Sequence, residues 1–506
     1  ASQWNFATAA HLLNRAGFGG TPAEIEQLIR LGPDKAVARL VDFDAIPDAT
    51  PPPEWAHPDP ERLEKFRAAG RLRAEQQAEL KKTTSPEERQ ALLKKHEEQR
   101  RKLQAEERRT QQEHLTELRG WWLERMAKGP RPLQEKLTLF WHGHFATSFQ
   151  KVRDAYYMYL QNQTFRRNAA GNWATMLAEV TDDPAMLIWL DQASSDKRHP
   201  NENYAREVME LFALGEGHYT EKDILEAARA LTGLTLDRMN QKATFRASMH
   251  DDGVKTVLGR TGNFQPKDVL DAILAQPQAA RFIGFKLWRF FATENISTEL
   301  VDALGEVFRN AKYELKPLLR AMFRSQEFYA PDVMRAQIKS PVQWLVGAAR
   351  MLECDLPPAR VTAPLLNNLG QSLFEPPNVK GWDGGTGWIS TNTMLARYNS
   401  AAVLVMGPQA VNVMRDLAVN PKAKRKGGLF QGGTIPVKAD QIITAAERGD
   451  KNTLIHALER RLIQDRLKDK QRSALRNYLE SQADLDEQDI LQAIRLVMCT
   501  PEFQLT

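Results

Sequence analysis

Signals that begin and end helices recur along most of this chain, and they constrain its fold more than any other feature of the sequence. Thr21 precedes a proline and stands three residues before Glu24, which is the pattern of a helix capping box. Asp183 before Pro184 is a second helix start, and Gly32 closes the apolar run that Thr21 begins. These signals predict a mainly α protein with a multi-helix core.

One segment departs from the helical pattern. Residues 244–249 alternate polar and apolar side chains, and residues 254–258 are rich in β-branched side chains. The Asp-Asp-Gly sequence at 251–253 lies between them and is typical of a turn. Two short strands around a turn predict one small β-hairpin in an otherwise helical fold.

Length and changes in composition divide the chain. Its 506 residues exceed what one hydrophobic core accommodates, so we expect several structural units. A proline-rich connector follows the first helices, and a basic, glycine-rich linker at 419–437 precedes the last ones. We predict an N-terminal helical segment, a charged helical arm, a central helical core with the candidate site, and a linker with a C-terminal helical segment, at residues 1–56, 57–128, 129–405 and 406–506.

The charged arm consists mainly of Leu, Ala, Lys, Glu, Gln and Arg, all strong helix formers. Ser85, followed by a proline and by Glu88, starts a new helix within it, so two helices meet there as a hairpin. Apolar residues are few between Leu93 and Leu115. We therefore predict a hairpin that projects into solvent. The alternative, a partner-binding coiled coil, lacks a sustained heptad pattern.

Charge and cysteine content exclude several classes of protein. Lys and Arg number 69 against 64 Asp and Glu, and this net charge of +5 is too small for the length to indicate a nucleic-acid partner. No apolar run reaches transmembrane length, so we expect no membrane span. Cys354 and Cys499 are either buried free thiols or one long-range disulfide.

The first residue is Ala1 and not Met, which fits either a chain trimmed at its start or the removal of a signal peptide. Ala1-Ser2-Gln3 suits the small residues that signal peptidase leaves at its cut. We therefore expect a periplasmic or secreted protein from which a signal peptide has been removed.

Two histidines in an aromatic segment suggest a metal site. His142 and His144 flank Gly143, and residues two apart on a helix point about 200° away from each other. Both can bind a single transition-metal ion only if the helix breaks at Gly143. The alternative is that His144 continues the apolar face into the core while His142 lines a site.

A third histidine stands beside two carboxylates. His250 precedes Asp251 and Asp252, and the three side chains suit either a metal ligand set or a base with its orienting carboxylate. The same aspartates also serve as ordinary turn residues. We include His250 among the candidate metal ligands.

A polar stripe marks the segment 201–212. If this segment is a helix, four hydrogen-bonding side chains share one face at spacings of three and four residues. The stripe is a solvated face, a buried polar network, or a site in which one carboxylate is protonated and the other ionised. On the third interpretation, the catalytic candidates are Asn203, Arg206, Glu207 and Glu210.

A long loop at 366–392, which we call the tryptophan loop, carries a further set of candidates. Loops of this length are usually functional or are ordered by packing. Tryptophan faces beside amide and carboxylate groups suit the C–H faces and hydroxyls of sugars, whereas buried tryptophans would anchor a stiff loop. The substrate-binding candidates are Trp382, Trp388, Asn378 and Asp383.

Five segments carry a family resemblance. They read HLLNRAGFGG at 11–20, LFWHGHFAT at 139–147, NENYARE with ELF at 201–212, HDDG at 250–253 and PPNVKGW at 376–382. In this order they resemble the large bacterial family known as domain of unknown function 1800, over nearly the whole chain except the arm. The resemblance implies a bacterial, often exported protein, frequently encoded beside a sulfatase-like protein of the alkaline phosphatase superfamily. It implies no established activity.

We predict an exported bacterial enzyme that acts on an extracellular polymer, with a polysaccharide as the first choice. The two glutamates of the stripe would share acid/base work, Arg206 would set their ionisation, and the two tryptophans would hold the substrate. One alternative is a metal-dependent redox or hydrolytic enzyme that uses the paired histidines and a carboxylate. The other is a non-catalytic binding partner of a sulfatase-like protein, docking through the arm and the tryptophan loop.

Overall fold

Helices make up most of the chain, which confirms the predicted mainly α class. The computed structural model describes residues 4–407, 437–482 and 484–506, so residues 1–3 and nearly all of the predicted linker at 419–437 lie outside the described residues. The α-helices are α1 Phe6–Arg15, α2 Pro22–Leu31, α3 Pro33–Val41, α4 Arg62–Lys82, α5 Pro86–Lys128, α6 Pro132–His144, α7 Phe149–Val152, α8 Ala155–Arg167, α9 Trp173–Thr181, α10 Pro184–Trp189, α11 Glu202–Glu207, α12 Glu221–Leu231, α13 Pro266–Ala275, α14 Pro277–Phe291, α15 Thr298–Asn310, α16 Leu315–Arg324, α17 Pro341–Met351, α18 Ala359–Asn368, α19 Thr391–Met406, α20 Ala439–Ile442, α21 Ala445–Arg448, α22 Lys451–Leu458, α23 Asp469–Glu480 and α24 Glu487–Met498. The π-helical turns are Val208–Ala213 and Glu459–Ile463, and the 3-10 turns are Phe43–Ala45, Gln192–Ser194, Ala247–Met249, Glu327–Tyr329, Gly385–Trp388 and Glu502–Gln504.

The predicted capping residues begin helices where the sequence places them. The Thr21 hydroxyl accepts a hydrogen bond from the Glu24 N–H at 3.2 Å, and the Glu24 carboxylate accepts one from the Thr21 N–H at 2.8 Å. The Asp183 carboxylate accepts from the Met186 N–H at 2.8 Å at the start of α10. These bonds satisfy backbone donors that have no partner inside the helix.

The described residues contain two β-hairpins rather than the predicted one. Strand β1 Leu234–Asp237 pairs antiparallel with β2 Lys242–Phe245, and β3 Lys255–Val257 pairs antiparallel with β4 Arg260–Gly262. The predicted pairing across the turn at 251–253 is therefore wrong.

A two-residue turn explains why β3 pairs with β4 and not with the strand before residues 251–253. Leu258 and Gly259 connect β3 to β4 and have φ values of 49° and 80°, as a two-residue hairpin turn requires. The Asp251 carboxylate accepts a hydrogen bond from Arg229 Nε at 2.8 Å instead of closing a hairpin. The Asp-Asp-Gly segment thus joins the two hairpins and ties them to α12.

The projecting charged hairpin is confirmed. Helices α4 and α5 run antiparallel, with Gln76 bonded to Gln99 at 3.3 Å and His96 to Glu79 at 2.8 Å. Most side chains of this hairpin are exposed; His96 and Gln76 are buried between its two helices, and α5 packs into the core from Leu115 onwards. Its composition explains this, because the outer part has too few apolar side chains to pack against the core.

Helix α6 runs between two hydrophobic clusters. Trp141 belongs to the cluster built mainly from α1–α3 and α9–α16, and Leu139 belongs to the cluster built from the end of α5, α17–α19 and the C-terminal helices. A helix with core on both sides is buried almost all round. This position explains why its polar side chains are also inside the protein.

The Glu135 carboxylate locks α6 to its neighbours. It accepts hydrogen bonds from Trp122 Nε1 at 2.9 Å, from Arg125 Nε at 2.9 Å and from two nitrogens of Arg166 at 2.8 and 2.9 Å. Burial alone would raise the pKa of Glu135, but the two guanidinium groups together lower it. A buried charge that is paired on every side fixes the position of the helix carrying the candidate histidines.

Two further expectations concern the whole chain. Among the described residues, no helix combines the length and apolar character needed to cross a membrane. Cys354 and Cys499 are both free and half-buried, so the structure does not join them as a disulfide.

Candidate functional site

In the structure the tryptophan loop comprises residues 369–390, between α18 and α19, within the predicted 366–392. His142 fixes the start of this loop. Its Nε2 accepts a hydrogen bond from the Phe374 N–H at 2.9 Å, and the Phe374 carbonyl accepts one from the Phe149 N–H at 2.8 Å. The ring is fully buried, and burial together with the charge of Arg119 lowers the pKa of His142 to about 3. A neutral His142 therefore holds the loop and does not line an open site, in contrast to the prediction.

His144 packs on the other side of α6. Its Nε2–H donates to the Phe212 carbonyl at 3.0 Å, within the π-helical turn Val208–Ala213. Burial, together with the charge of Lys286, lowers the pKa of His144 to about 3. Because the carbonyl takes the Nε2 proton, Nδ1 is an acceptor, and in the described part of the chain this atom has no hydrogen-bond partner.

The geometry does not make the two histidines a ligand pair. Helix α6 continues through Gly143 to His144, so the break that a shared metal requires is absent. The backbone of the loop engages Nε2 of His142, and the backbone of the π-helical turn engages Nε2 of His144. Across the described residues, no group of three or more His, Cys, Asp or Glu side chains is arranged to hold a metal ion.

His250 lies apart from the other candidates. Its Nδ1 contacts the Thr232 carbonyl at 2.8 Å, at the C-terminal end of α12. Helix α12 has 11 residues, and its first residue, Glu221, lies beside the polar stripe. At 1.5 Å per residue this helix spans roughly 16 Å, so His250 does not join the stripe.

The tryptophan loop lies directly on the C-terminal end of α6. Gly381 has a φ of +82°, and a Cβ there would clash with the Gly143 carbonyl oxygen. The next residue, Trp382, is half-buried, with its ring centroid 5.6 Å from that of His142. Glycine at 381 therefore allows the loop to approach the helix closely.

The four loop candidates differ in exposure. Asn378 and Asp383 are exposed, and Trp382 is half-buried. Trp388 is only 8% exposed and packs inside the protein, so it anchors the loop rather than presenting a ring face to a substrate.

Glu207 and Glu210, the carboxylate pair, lie where an α-helix becomes a π-helix. Helix α11 ends at Glu207, and Val208–Ala213 continues it as a π-helical turn, so the segment is helical but the α-helical spacing considered for the polar stripe holds only up to Glu207. Such turns are rare and frequently mark functional sites. Both carboxylates are half-buried; burial raises the pKa of Glu207, and the charge of Glu210 raises it further.

Two partners of this pair were missed in the sequence. The Tyr219 hydroxyl donates to Glu210 Oε2 at 2.6 Å, and Lys380 of the loop lies close enough to Glu207 to lower its pKa slightly. Tyr219 follows the glycine stop at 215–217, and this reversal of the chain was the signal that could have placed it.

Arg206 does not set the ionisation of the pair as predicted. Its Nη1 and Nη2 donate to Glu221 at 2.8 and 2.7 Å, and Nη2 lies 3.5 Å from a Glu202 oxygen. Its charge lowers the pKa of Glu207 by less than burial and Glu210 raise it. Asn203 is exposed. Arg206 therefore joins α11 to α12 through Glu221.

Lys286 is another side chain missed in the sequence. It lies on α14 with its Nζ 5.4 Å from the Phe282 ring centroid. Burial lowers the pKa of Lys286, and nearby Arg289 lowers it further. A lysine four residues from an aromatic residue on either side, Phe282 and Phe290, was the sequence signal.

Three of the five sequence motifs meet in this region: the end of α6, the carboxylate pair and the tryptophan loop. The family model described as "Protein of unknown function (DUF1800)" matches residues 11–505. The chain belongs to this family. The match confirms the resemblance over nearly the whole chain, and the DUF1800 description assigns no activity. No curated protein and no solved structure matches the chain.

Proposed function

We propose that this DUF1800 protein is an enzyme that breaks a polysaccharide by carboxylate acid/base chemistry. The inequality of the carboxylate pair carries the proposal. Glu207 has a raised pKa and, within the described residues, no hydrogen-bond partner, whereas Glu210 accepts a hydrogen bond from Tyr219. A protonated Glu207 would give its proton to the leaving group, and an ionised Glu210 would act as the base.

The surroundings of the pair support a sugar substrate. Lys380 of the loop acts on Glu207, and it is followed along the same loop by the half-buried Trp382 and the exposed Asp383. Aromatic rings pack on the C–H faces of sugars while polar groups bind their hydroxyls. The proposal places the protein in the periplasm or outside the cell, because extracellular polysaccharides are met there.

The test compares Glu207→Gln and Glu210→Gln with the parent on a panel of bacterial and plant polysaccharides. Each variant should lose about 10²–10⁴-fold in turnover, the usual contribution of a positioned acid or base. Activity of the parent should fall as the pH rises through the raised pKa of Glu207, because a general acid must carry its proton. Turnover is measured as release of reducing ends and as absorbance of unsaturated products.

Glu216→Gln is the matched control, since Glu216 is exposed on the same segment. It should keep full activity, and all three variants should melt close to the parent temperature. If Glu207→Gln and Glu210→Gln process every substrate as the parent does, the carboxylate pair is not the site.

One observation favours a second candidate, a non-catalytic partner of a sulfatase-like protein. The projecting hairpin exposes four large apolar side chains along its length that a partner could cover: Leu63, Phe66, Leu93 and Leu103. Co-purification of the two proteins that is lost when the hairpin tip is deleted would support this function.

A further inference from the structure

Helices α6 and α14 face each other along a seam lined by aromatic rings, here called the α6–α14 seam. The ring centroids of Phe140 and Phe290 are 5.1 Å apart, and those of His144 and Phe282 are 6.5 Å apart. The two helices therefore run antiparallel. Lys286 is one helical turn from each of the two α14 phenylalanines, so it lies in the middle of the seam.

Two polar atoms of the seam, Lys286 Nζ and His144 Nδ1, lack a hydrogen-bond partner among the described residues. Within the described residues, Lys286 Nζ makes no hydrogen bond or ion pair. The carboxylate of Glu294, beyond the end of the same helix, pairs instead with Arg289 at 2.9 Å. The neighbouring His144 is buried, and its Nδ1 has no hydrogen-bond partner in the same part of the chain. Lys286 is half-buried with its ammonium over the Phe282 ring, and its charge helps to lower the pKa of His144. A strong donor that faces partly towards solvent therefore lies near a buried acceptor that has no partner in that part of the chain.

The tryptophan loop passes over this seam. Its Gly381 packs on Gly143 at the end of α6, and a Cβ on Gly385 would lie 3.3 Å from Glu294 Oε1, just beyond the end of α14. Around Gly384, no atom lies within 4 Å of an added Cβ, so the loop is not tightly packed there. Glycines with positive φ at 384 and 385 shape this part of the loop, and the open space beside Gly384 leaves room for a ligand.

We propose that Lys286 and His144 form a subsite for an acidic sugar unit, one that carries a carboxylate or sulfate group next to a hydroxyl. The oxyanion accepts hydrogen bonds from the Lys286 ammonium, and the hydroxyl donates to His144 Nδ1. His144 binds the carbonyl of Phe212, two residues after Glu210, so the subsite adjoins the carboxylate pair. The inference rests on the proposed function and adds that the polysaccharide is anionic.

The first experiment does not depend on catalysis. The protein is acetylated with acetic anhydride at constant ionic strength in sodium glucuronate, sodium sulfate or glucose, and each lysine is followed by peptide mass spectrometry. Glucuronate should slow the labelling of Lys286 most, sulfate less, and glucose not at all. The exposed Lys222 is the internal control and should label equally in all three. Labelling of Lys286 that neither glucuronate nor sulfate slows would overturn the subsite.

The second experiment measures binding of polygalacturonate and of its methyl ester by calorimetry. The parent should bind the acid form more tightly, and Lys286→Met should weaken that binding about tenfold, as expected for one charge-assisted hydrogen bond. Binding of the ester should not change, and Lys286→Arg should recover part of the lost affinity. Melting temperatures of the variants and of Lys222→Met show whether folding is intact.

The two proposals fail in different ways. If the carboxylate variants are fully active while glucuronate still protects Lys286, the proposed acid/base roles fail and the anion subsite stands. If Lys286→Met, correctly folded, binds both polymers as the parent does, the subsite fails whatever the carboxylate variants show.

Discussion

Lys136 shows how much a single buried charge can cost this fold. Its side chain extends from α6 into the protein and is buried, with Nζ 5.0 Å from the Phe18 ring centroid and 5.7 Å from that of Phe290. Within the described residues it makes no hydrogen bond or ion pair. Burial, together with the charge of Arg15, lowers the pKa of Lys136 from 10.5 to about 7. Lys286 differs because it is partly accessible, so a ligand can supply its partner.

We predict that Lys136→Met stabilises the protein by about 1–4 kcal/mol at pH 7, since each unit of pKa shift corresponds to ~1.4 kcal/mol. Between about pH 7 and 10.5 the unfolded chain binds the proton that the folded chain releases, so stability of the parent rises with pH. The advantage of the variant should therefore shrink towards pH 10.5. Urea unfolding at pH 7 and pH 10 measures this, with Lys222→Met as an exposed control. A variant less stable than the parent at pH 7 would contradict the prediction.

At the scale of elements, the contact between the tryptophan loop and α6 depends more on Gly381 of the loop than on Gly143 of the helix. An added Cβ at Gly381 meets the Gly143 carbonyl in a backbone conformation that L side chains rarely adopt. An added Cβ at Gly143 lies 3.9 Å from Trp382, which is an ordinary contact.

We therefore expect Gly381→Ala to cost about 1–3 kcal/mol, because an L side chain at such φ strains the backbone. It should also weaken polysaccharide binding, since the loop must shift. Gly143→Ala should be neutral or stabilising by about 0.5–1 kcal/mol, because alanine favours a helix over glycine. Thermal melting followed by intrinsic tryptophan fluorescence compares the two, and equal effects would refute the asymmetry.

The projecting hairpin is an element with a clear boundary. Its two helices pair so that Gln76 meets Gln99 and Glu79 meets His96, which places Phe66 opposite Arg109. Below that level the hairpin is part of the body of the protein: the Gln111 side chain, for example, accepts a hydrogen bond from the Ala155 N–H at 2.8 Å.

Deletion of residues 67–108, with a short glycine linker, should leave the melting temperature nearly unchanged, because the removed part buries little apolar surface. Deletion of 61–115 should destabilise clearly, since it removes Gln111 and the fully buried Leu115. Thermal melting of the two deletion variants, followed by circular dichroism, tests this. A large loss on removing only 67–108 would mean that the tip packs against the core.

At the scale of the whole molecule, Arg15 ties distant parts of the chain together. The guanidinium is fully buried and donates hydrogen bonds to four backbone carbonyls far apart in sequence: Phe291, Ala292, Val333 and Thr506. Helix α1 is thereby joined to the end of α14 and to the last described residue.

Arg15→Met should destabilise the protein by about 3 kcal/mol or more, because each buried carbonyl left without a donor costs ~1–3 kcal/mol. Arg30→Met, on the exposed face of α2, should cost almost nothing. Urea unfolding followed by tryptophan fluorescence measures both. A midpoint for Arg15→Met equal to that of the parent would show that water replaces the lost contacts.

Local chemistry in the sequence determined the helical class, the capped starts at Thr21 and Asp183, and the charged hairpin. Caps, apolar spacing and charge density act between residues a few positions apart, so they can be recognised without the fold. The carboxylate pair was found for the same reason, since Glu207 and Glu210 are close in sequence.

Tertiary structure alone decided what these groups contact. Packing on both sides of α6 buries His142 and His144, and the core buries Trp388. Arg206 donates its hydrogen bonds to Glu221. Tyr219, Lys286 and the true partners of the β-strands are set by chain reversals and helix pairing, which local patterns do not encode. Burial and long-range hydrogen bonds change the pKa and accessibility of a side chain by more than its sequence neighbours do, and they exist only once the chain has folded.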